Sequence, residues 1–189
     1  MVAHPQTEPG VVRVPPGTWN IDPAHSSVGF SIKHLMIATV RGRFTDFEGT
    51  IEAAEDINDS KVSGVVRTAS IDTNEPTRDG HLRSPDFFDS ERFPEAHFES
   101  TRIVPLGGPN FRVLGNLTLK DVTREIELES TVEGVERDPW GNERVGLSAH
   151  GTIKRTDFGL KWQQLLESGR YMLGEDVNIV IDVSAVRAT

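Results

Sequence analysis

The sequence predicts an all-β chain whose short strands roll into a barrel. Three observations carry that expectation: apolar residues recur with a period of two, turn-forming clusters separate the alternating stretches, and glycines recur inside them. The alternation marks eight strands, at residues 28–34 (VGFSIKH), 40–44 (VRGRF), 47–51 (FEGTI), 62–66 (VSGVV), 111–119 (FRVLGNLTL), 126–132 (IELESTV), 147–153 (LSAHGTI) and 177–183 (VNIVIDV). Residues 56–60, 105–110, 120–121, 138–142 and 174–176 supply the turns between them. Regular short strands fit a sandwich or a barrel. Gly29, Gly42, Gly49, Gly64, Gly115 and Gly151 would weaken flat strands, so their recurrence favours the sharper curvature of a barrel.

One segment breaks the period. Residues 73–93 (TNEPTRDGHLRSPDFFDSERF) mix charges with Leu82, Phe87, Phe88 and Phe93 and contain no β-branched run. Thr77 or Asp79 is placed to cap a short helical turn, and Pro85 to open a second. A further short turn is expected within residues 156–166, before the last strand.

The chain of 189 residues suits one domain with one core. Its Pro-rich start, residues 1–16, reads as a flexible tail, and residues 17–187 as the barrel. That tail has no apolar segment of signal-peptide type, which sets a cytoplasmic expectation. No run approaches the ~18 to 20 apolar residues of a membrane helix, so stable membrane insertion is not expected. A net charge of −9 argues against nucleic acid as a partner. The absence of cysteine removes disulfides, thiol nucleophiles and thiolate metal sites.

An eight-stranded barrel is either filled by side chains or just wide enough for one small ligand. A strand of about nine residues rises roughly 30 Å, so a hollow barrel would suit a long, thin, apolar ligand. Phe30, Ile32, Phe44, Phe47, Leu117, Leu119, Phe158 and Trp162 are candidates to line it, with Leu82, Phe87 and Phe88 from the helical excursion. The same residues could equally pack into a solid core.

Several blocks, in order, resemble a known family. Residues 17–34 (GTWNIDPAHSSVGFSIKH), 40–44, 78–89 (RDGHLRSPDFFD) with Phe93 and Pro94, 115–124 (GNLTLKDVTR) and 155–159 (RTDFG) look like the YceI-like proteins. The resemblance spans roughly residues 17–187. It implies an extended antiparallel barrel, lipocalin-like, that binds a polyisoprenoid amphiphile such as a polyprenyl quinone, phenol or phosphate in a long internal channel. It implies no catalytic residue, no cofactor beyond that lipid or quinone ligand, and a homodimer. Each five-carbon isoprene unit moved from water into such a channel gains about 3 to 4 kcal/mol gross, at ~0.8 kcal/mol per carbon. Entropic losses offset much of this sum. Affinity would then reside in the tail.

Polar residues are candidates for the head group. His34, Arg78, Asp79, His81 and Arg83 could hydrogen-bond an oxygen at the channel mouth. The plainer role for residues 78–84 is a loop pinned to the barrel, with Asp79 as a helix cap and Arg83 paired to a carboxylate. Six histidines invite a metal, yet no His-x-His or His-x-x-x-His pair exists. A hydrolase would draw on Asp79 with His81, or on Ser26 with His25, although neighbours on a strand face opposite ways. A purely structural dimeric module is the remaining alternative.

Overall fold

The computed structural model describes residues 12–189. Its strands are β1 (Gly17–Ile21), β2 (Ser27–His34), β3 (Ala38–Phe44), β4 (Phe47–Ala53), β5 (Lys61–Arg67), β6 (Ile71–Asp72), β7 (Glu95–Gly107), β8 (Asn110–Leu119), β9 (Val122–Arg137), β10 (Glu143–Lys154) and β11 (Leu173–Arg187). All belong to one sheet, and pairing of β1 with β11 closes it. Every pairing is antiparallel.

Eleven segments make eight staves. β11 is long enough to serve two partners: Ala185 and Arg187 lie opposite Ile21 and Trp19 of β1, while Ile181 and Ile179 lie opposite Val28 and Phe30 of β2. β1 and β2 are therefore halves of one stave, interrupted by the single turn Pro23–His25. Asp22 caps that turn, its carboxylate accepting the Ala24 N–H at 3.0 Å. In the next stave β3 pairs with β2 and β4 with β1, and in the third β5 pairs with β4 and β6 with β3. The result is a closed eight-stranded antiparallel barrel, as the alternation predicts.

The staves differ from the sequence reading in membership. Residues 40–44 and 47–51, read as two strands, are parts of one bent stave. The thirteen-residue β7 takes the vacant place. Its period is broken by register shifts at 100–102 and 105–107, so Ala96 and Phe98 face inward but the alternation then slips before Ile103. Two glycines at 107 and 108, with φ of 103° and 55°, then turn the chain into β8.

Inside, residues facing one another across the ladders are apolar: Val145 with Ala185, Leu147 with Val183, Ala149 with Ile181 and Ile153 with Val177. Glycines among them make room for rings. A methyl at Gly42 would sit 2.4 Å from Cζ of Phe30, and one at Gly115 would meet Phe98 Cζ at 2.4 Å and the Glu99 carbonyl at 2.6 Å. These glycines serve close approach of side chains, beyond the curvature expected of them.

Buried residues form two clusters, one at each end. The first centres on Trp19, with Ile51, Ile103, Phe111, Val132, Val145 and Ala185. The second joins Phe87, Ala96, Leu119, Ile126, Leu128, Phe158 and Leu160. Beside the second lies the one α-helix of the described residues, α1 (Pro76–Arg83). Its cap is Glu75, whose carboxylate accepts the N–H groups of Thr77 and Arg78 at 3.2 and 2.7 Å, with Pro76 in the first turn. Neither Thr77 nor Asp79 caps it. The helical turn expected at Pro85 is replaced by successive hydrogen-bonded turns, from Phe87 and Asp89 N–H to Ser84 O and from Phe93 N–H to Asp89 O. The turn expected in residues 156–166 begins one residue earlier, at Arg155–Phe158, and ends on Gly159 with φ of 77°.

The tail boundary also shifts. Residues 1–11 lie outside the described part. Residues 12–16, read as flexible, instead lie against the Trp19 end: Val12 N–H bonds Gly108 O at 3.1 Å, Val14 packs on the core and Trp19 Nε1–H donates to Pro15 O at 2.9 Å. Pro15 and Pro16 supply acceptor carbonyls without N–H groups that would need partners.

Candidate ligand channel

A cavity of about 480 Å³ occupies the barrel interior. Its wall draws on both clusters, from Val14, Ile51 and Val132 at the Trp19 end to Leu82, Trp162 and Met172 at the helix end. The volume lies within the roughly 300–1,000 Å³ of small-molecule sites. The inward side chains Phe30, Ile32, Leu117, Ile179 and Ile181 are only partly buried although they point into the barrel, because the space they face is hollow. Apolar surface left open in this way is what a hydrocarbon would cover.

Of the residues assigned to the tail channel by sequence, Phe30, Ile32, Phe44, Phe47, Leu82, Phe87, Phe88, Leu117, Leu119 and Trp162 line this cavity. Phe158 does not. The short turn that carries it packs its ring, 2% exposed, into the cluster of Phe87 and Leu160. Sequence reasoning misses Phe98 because β7 was not recognised, and misses Ile179 and Ile181 despite recognising their strand. Their alternation with Asn178, Val180 and Asp182 is the signal that could have found them.

The candidate head-group residues divide. His34, Arg78 and His81 reach the cavity wall at the helix end, whereas Asp79 and Arg83 do not. Asp79 is buried at 6% exposure because its Oδ1 accepts both the N–H and the hydroxyl of Thr73, at 2.8 and 2.6 Å. That carboxylate anchors α1 to the end of β6. Arg83 donates to the carbonyls of Ala69 at 2.8 Å and Ile71 at 3.3 Å, so it pins the helix to backbone oxygens and has no carboxylate partner among the described residues. Arg78 bonds Thr73 through Nε and Nη2, at 2.7 and 2.8 Å.

His81 turns away from Asp79. Its Nε2 lies 2.8 Å from Asp86 Oδ2, and its ring meets Phe87 and Trp162 edge to face at centroid distances of 5.1 and 5.0 Å. The Asp79–His81 pair of a hydrolase is therefore not assembled, since residues two apart on a helix diverge. His25 Nδ1 is 2.7 Å from Asp22 Oδ2, and the Ser26 hydroxyl exchanges hydrogen bonds with the Ser184 backbone. Both are turn-stabilising contacts. His97 and His150 are exposed beside Glu95 and Glu129. Among the described residues no group of three or more metal-ligating side chains converges, and no helix is long and apolar enough to cross a membrane.

Residue for residue, the helix end also holds a group that sequence reasoning left out. Arg155, at the end of β10, is 4% exposed and lies on the cavity wall. Its Nε donates to Gly174 O at 2.8 Å, and Nη1 donates to Leu160 O at 2.7 Å and Trp162 O at 2.8 Å. Burial pulls its pKa below the usual guanidinium value, against the opposing pull of Glu175. These bonds fasten the loop that presents Trp162. In sequence Arg155 sits in a polar run, which gives no sign of burial.

A barrel of this form matches known proteins. A family model described as the YceI-like domain covers residues 19–185. The chain belongs to the YceI-like family. A UPF0312 protein from Serratia proteamaculans (strain 568) is 40% identical over 165 residues, 87% of this chain and 82% of the relative. Among solved structures, Burkholderia cenocepacia BcnA superposes with a TM-score of 0.76 at 22% identity, over 89% of this chain and 99% of that protein. A domain from Saccharophagus degradans, described as a polyisoprenoid binding domain implicated in plant cell wall breakdown, superposes with a TM-score of 0.69 at 16% identity, over 90% and 98%. Both likenesses establish the fold. Membership fits the sequence resemblance.

Proposed function

We propose that this protein binds and carries, or sequesters, a long-chain isoprenoid amphiphile without transforming it. The observation that carries the reading is the apolar cavity of about 480 Å³ whose inward side chains remain uncovered. Membership of the YceI-like family and the polyisoprenoid-binding domain of the same fold support lipid binding in general. The tail lies along the inner wall, and its oxygen-bearing head stays at the helix end, where His34, Arg78, His81 and Arg155 supply donors within an otherwise apolar lining. The protein acts from the cytoplasm as a homodimer and exchanges its ligand with membranes transiently.

Native mass spectrometry after gentle purification, followed by organic extraction, tests this. A bound prenyl amphiphile, or uptake of an added polyprenyl quinone at one per chain, is the expected result. Ligand-free protein that takes up no polyprenyl quinone, phenol or phosphate overturns the reading. Turnover of ester or phosphoester substrates would return the hydrolase alternative.

A further inference from the structure

The wall of the cavity is apolar almost throughout, yet it contains a buried cation with no ion-pair partner among the described residues. Arg155 is 4% exposed, and its recorded partners are three backbone carbonyls, on Nε and Nη1. Its Nη2 has no hydrogen-bond partner among the described residues. The acidic group that acts on it, Glu175, makes no ion pair with it; one carboxylate oxygen of Glu175 accepts the Thr156 hydroxyl at 2.6 Å. Carbonyl dipoles solvate a guanidinium without neutralising it. A full positive charge therefore remains beside the cavity, in a setting where an unpaired charge is costly.

Were fastening the loop its entire role, neutral donors would do as well. Gln163 shows this in the same loop: its Nε2 donates to Leu173 O at 2.8 Å and its Oε1 accepts Leu173 N–H at 2.9 Å, with no charge buried. Arginine differs in carrying a permanent charge and in offering a planar fork suited to two oxygens of one anion.

We infer that Arg155 is the recognition point for an oxyanion head group, a phosphate or a carboxylate, on the amphiphile held in the channel. This rests on the carrier reading above and narrows it from any oxygen-bearing head to an anionic one. The tail is then oriented, because its charged end has a fixed seat near Leu160 and Trp162 and its hydrocarbon runs toward the Trp19 end. Arg78, on the wall but with its residue exposed, meets the head on entry and exit.

Three probes with one tail test the inference: farnesyl phosphate, farnesoic acid and farnesol, titrated into the full chain stripped of lipid. At least one acid is expected to bind about tenfold or more tightly than the alcohol, as suits a charge-assisted hydrogen bond, and the two acids tell phosphate from carboxylate. Equal binding of all three, or preference for farnesol, overturns the inference while leaving the carrier reading intact. Failure of all three, and of a polyprenyl quinone, overturns the carrier reading itself. Arg155→Gln is expected to abolish the preference, leaving acids and alcohol with equal affinity; a preference that survives places the anion elsewhere. Should that variant not fold, a crystal structure of the unaltered protein with the preferred acid decides. Head-group oxygens within hydrogen-bond distance of Arg155 are expected, and a head seated at Arg78 and His81 overturns the assignment.

Discussion

At the Trp19 end the barrel is closed over and tied; at the helix end it is lined and guarded. Trp19 is fully buried, its ring lies 5.5 Å from the Arg187 guanidinium, and its N–H is taken by the segment that crosses that end. Around it Arg144 bonds Asp138 at 2.8 Å and Asp22 at 2.9 Å, while Arg187 bonds Glu143 at 2.7 Å, joining β1, β10 and β11. At the helix end Arg78, Arg83 and Arg155 instead bond backbone oxygens. One end is thus organised for cohesion, the other for admitting a guest.

Substitutions should separate the two roles. Trp19→Ala should have the largest effect, about 3–5 kcal/mol lost in urea unfolding, as expected of a large aromatic removed from a packed site. A loss under about 1 kcal/mol would mean that this end is not the stabilising one. Leu117→Trp, which puts bulk into the hollow, should cut binding of a polyprenyl quinone by more than about tenfold while unfolding stays near that of the parent, because the cavity that Leu117 faces has room for the larger ring. Unchanged uptake would mean that the guest does not pass Leu117.

Gly115→Ala should cost about 1–3 kcal/mol, since the added methyl meets the fixed Glu99 carbonyl as well as the movable Phe98 ring. A smaller effect follows acid. Burial alone would raise Asp138, but the Arg144 guanidinium and the Asn142 side chain and N–H outweigh it and hold the carboxyl at about 2, and Arg144 likewise lowers Asp22. Each folded-state value lies below that of an unfolded aspartate, about 3.9. The stabilisation is therefore present above pH ~4 and disappears as pH falls toward about 2. Urea midpoints followed through that range should fall, and Arg144→Gln should flatten this part of the fall. An identical profile in the variant would remove the pair from the account. His81→Ala should change tail affinity least of all, as its nitrogen faces Asp86.

Much of this architecture could be read from period-two alternation, because a half-buried strand shows its inner face as every second residue. β2, β8 and β11 appear this way, and so does most of the apolar wall. β7 escapes because bulges shift its inward set after Ser100, so that Ser100 and Arg102 fall where the period seeks an apolar residue. The bent second stave is counted twice because Thr45 and Asp46 interrupt the alternation, which resumes out of phase at Phe47. Polar residues are harder still. Asp79 and His81 are neighbours in sequence with suggestive chemistry, but helix geometry sends one to Thr73 and the other to Asp86. Arg155 is inconspicuous in its run, and its burial depends on a loop that folds back over it from Leu160 to Leu173.

On the carrier reading proposed above, the uncovered inner wall ties the lifetime of the protein to its cargo. Empty, the barrel leaves apolar groups wetted that a solid core would hide, so part of the driving force for folding goes unused. Any guest that binds only the folded chain adds stability by mass action, about 2.7 kcal/mol at a hundred times its dissociation constant. Protein made when cargo is scarce unfolds more often and meets proteases more often than protein made when cargo is abundant. Cellular abundance of the chain would then rise and fall with the supply of the molecule it holds, with no dedicated sensor required.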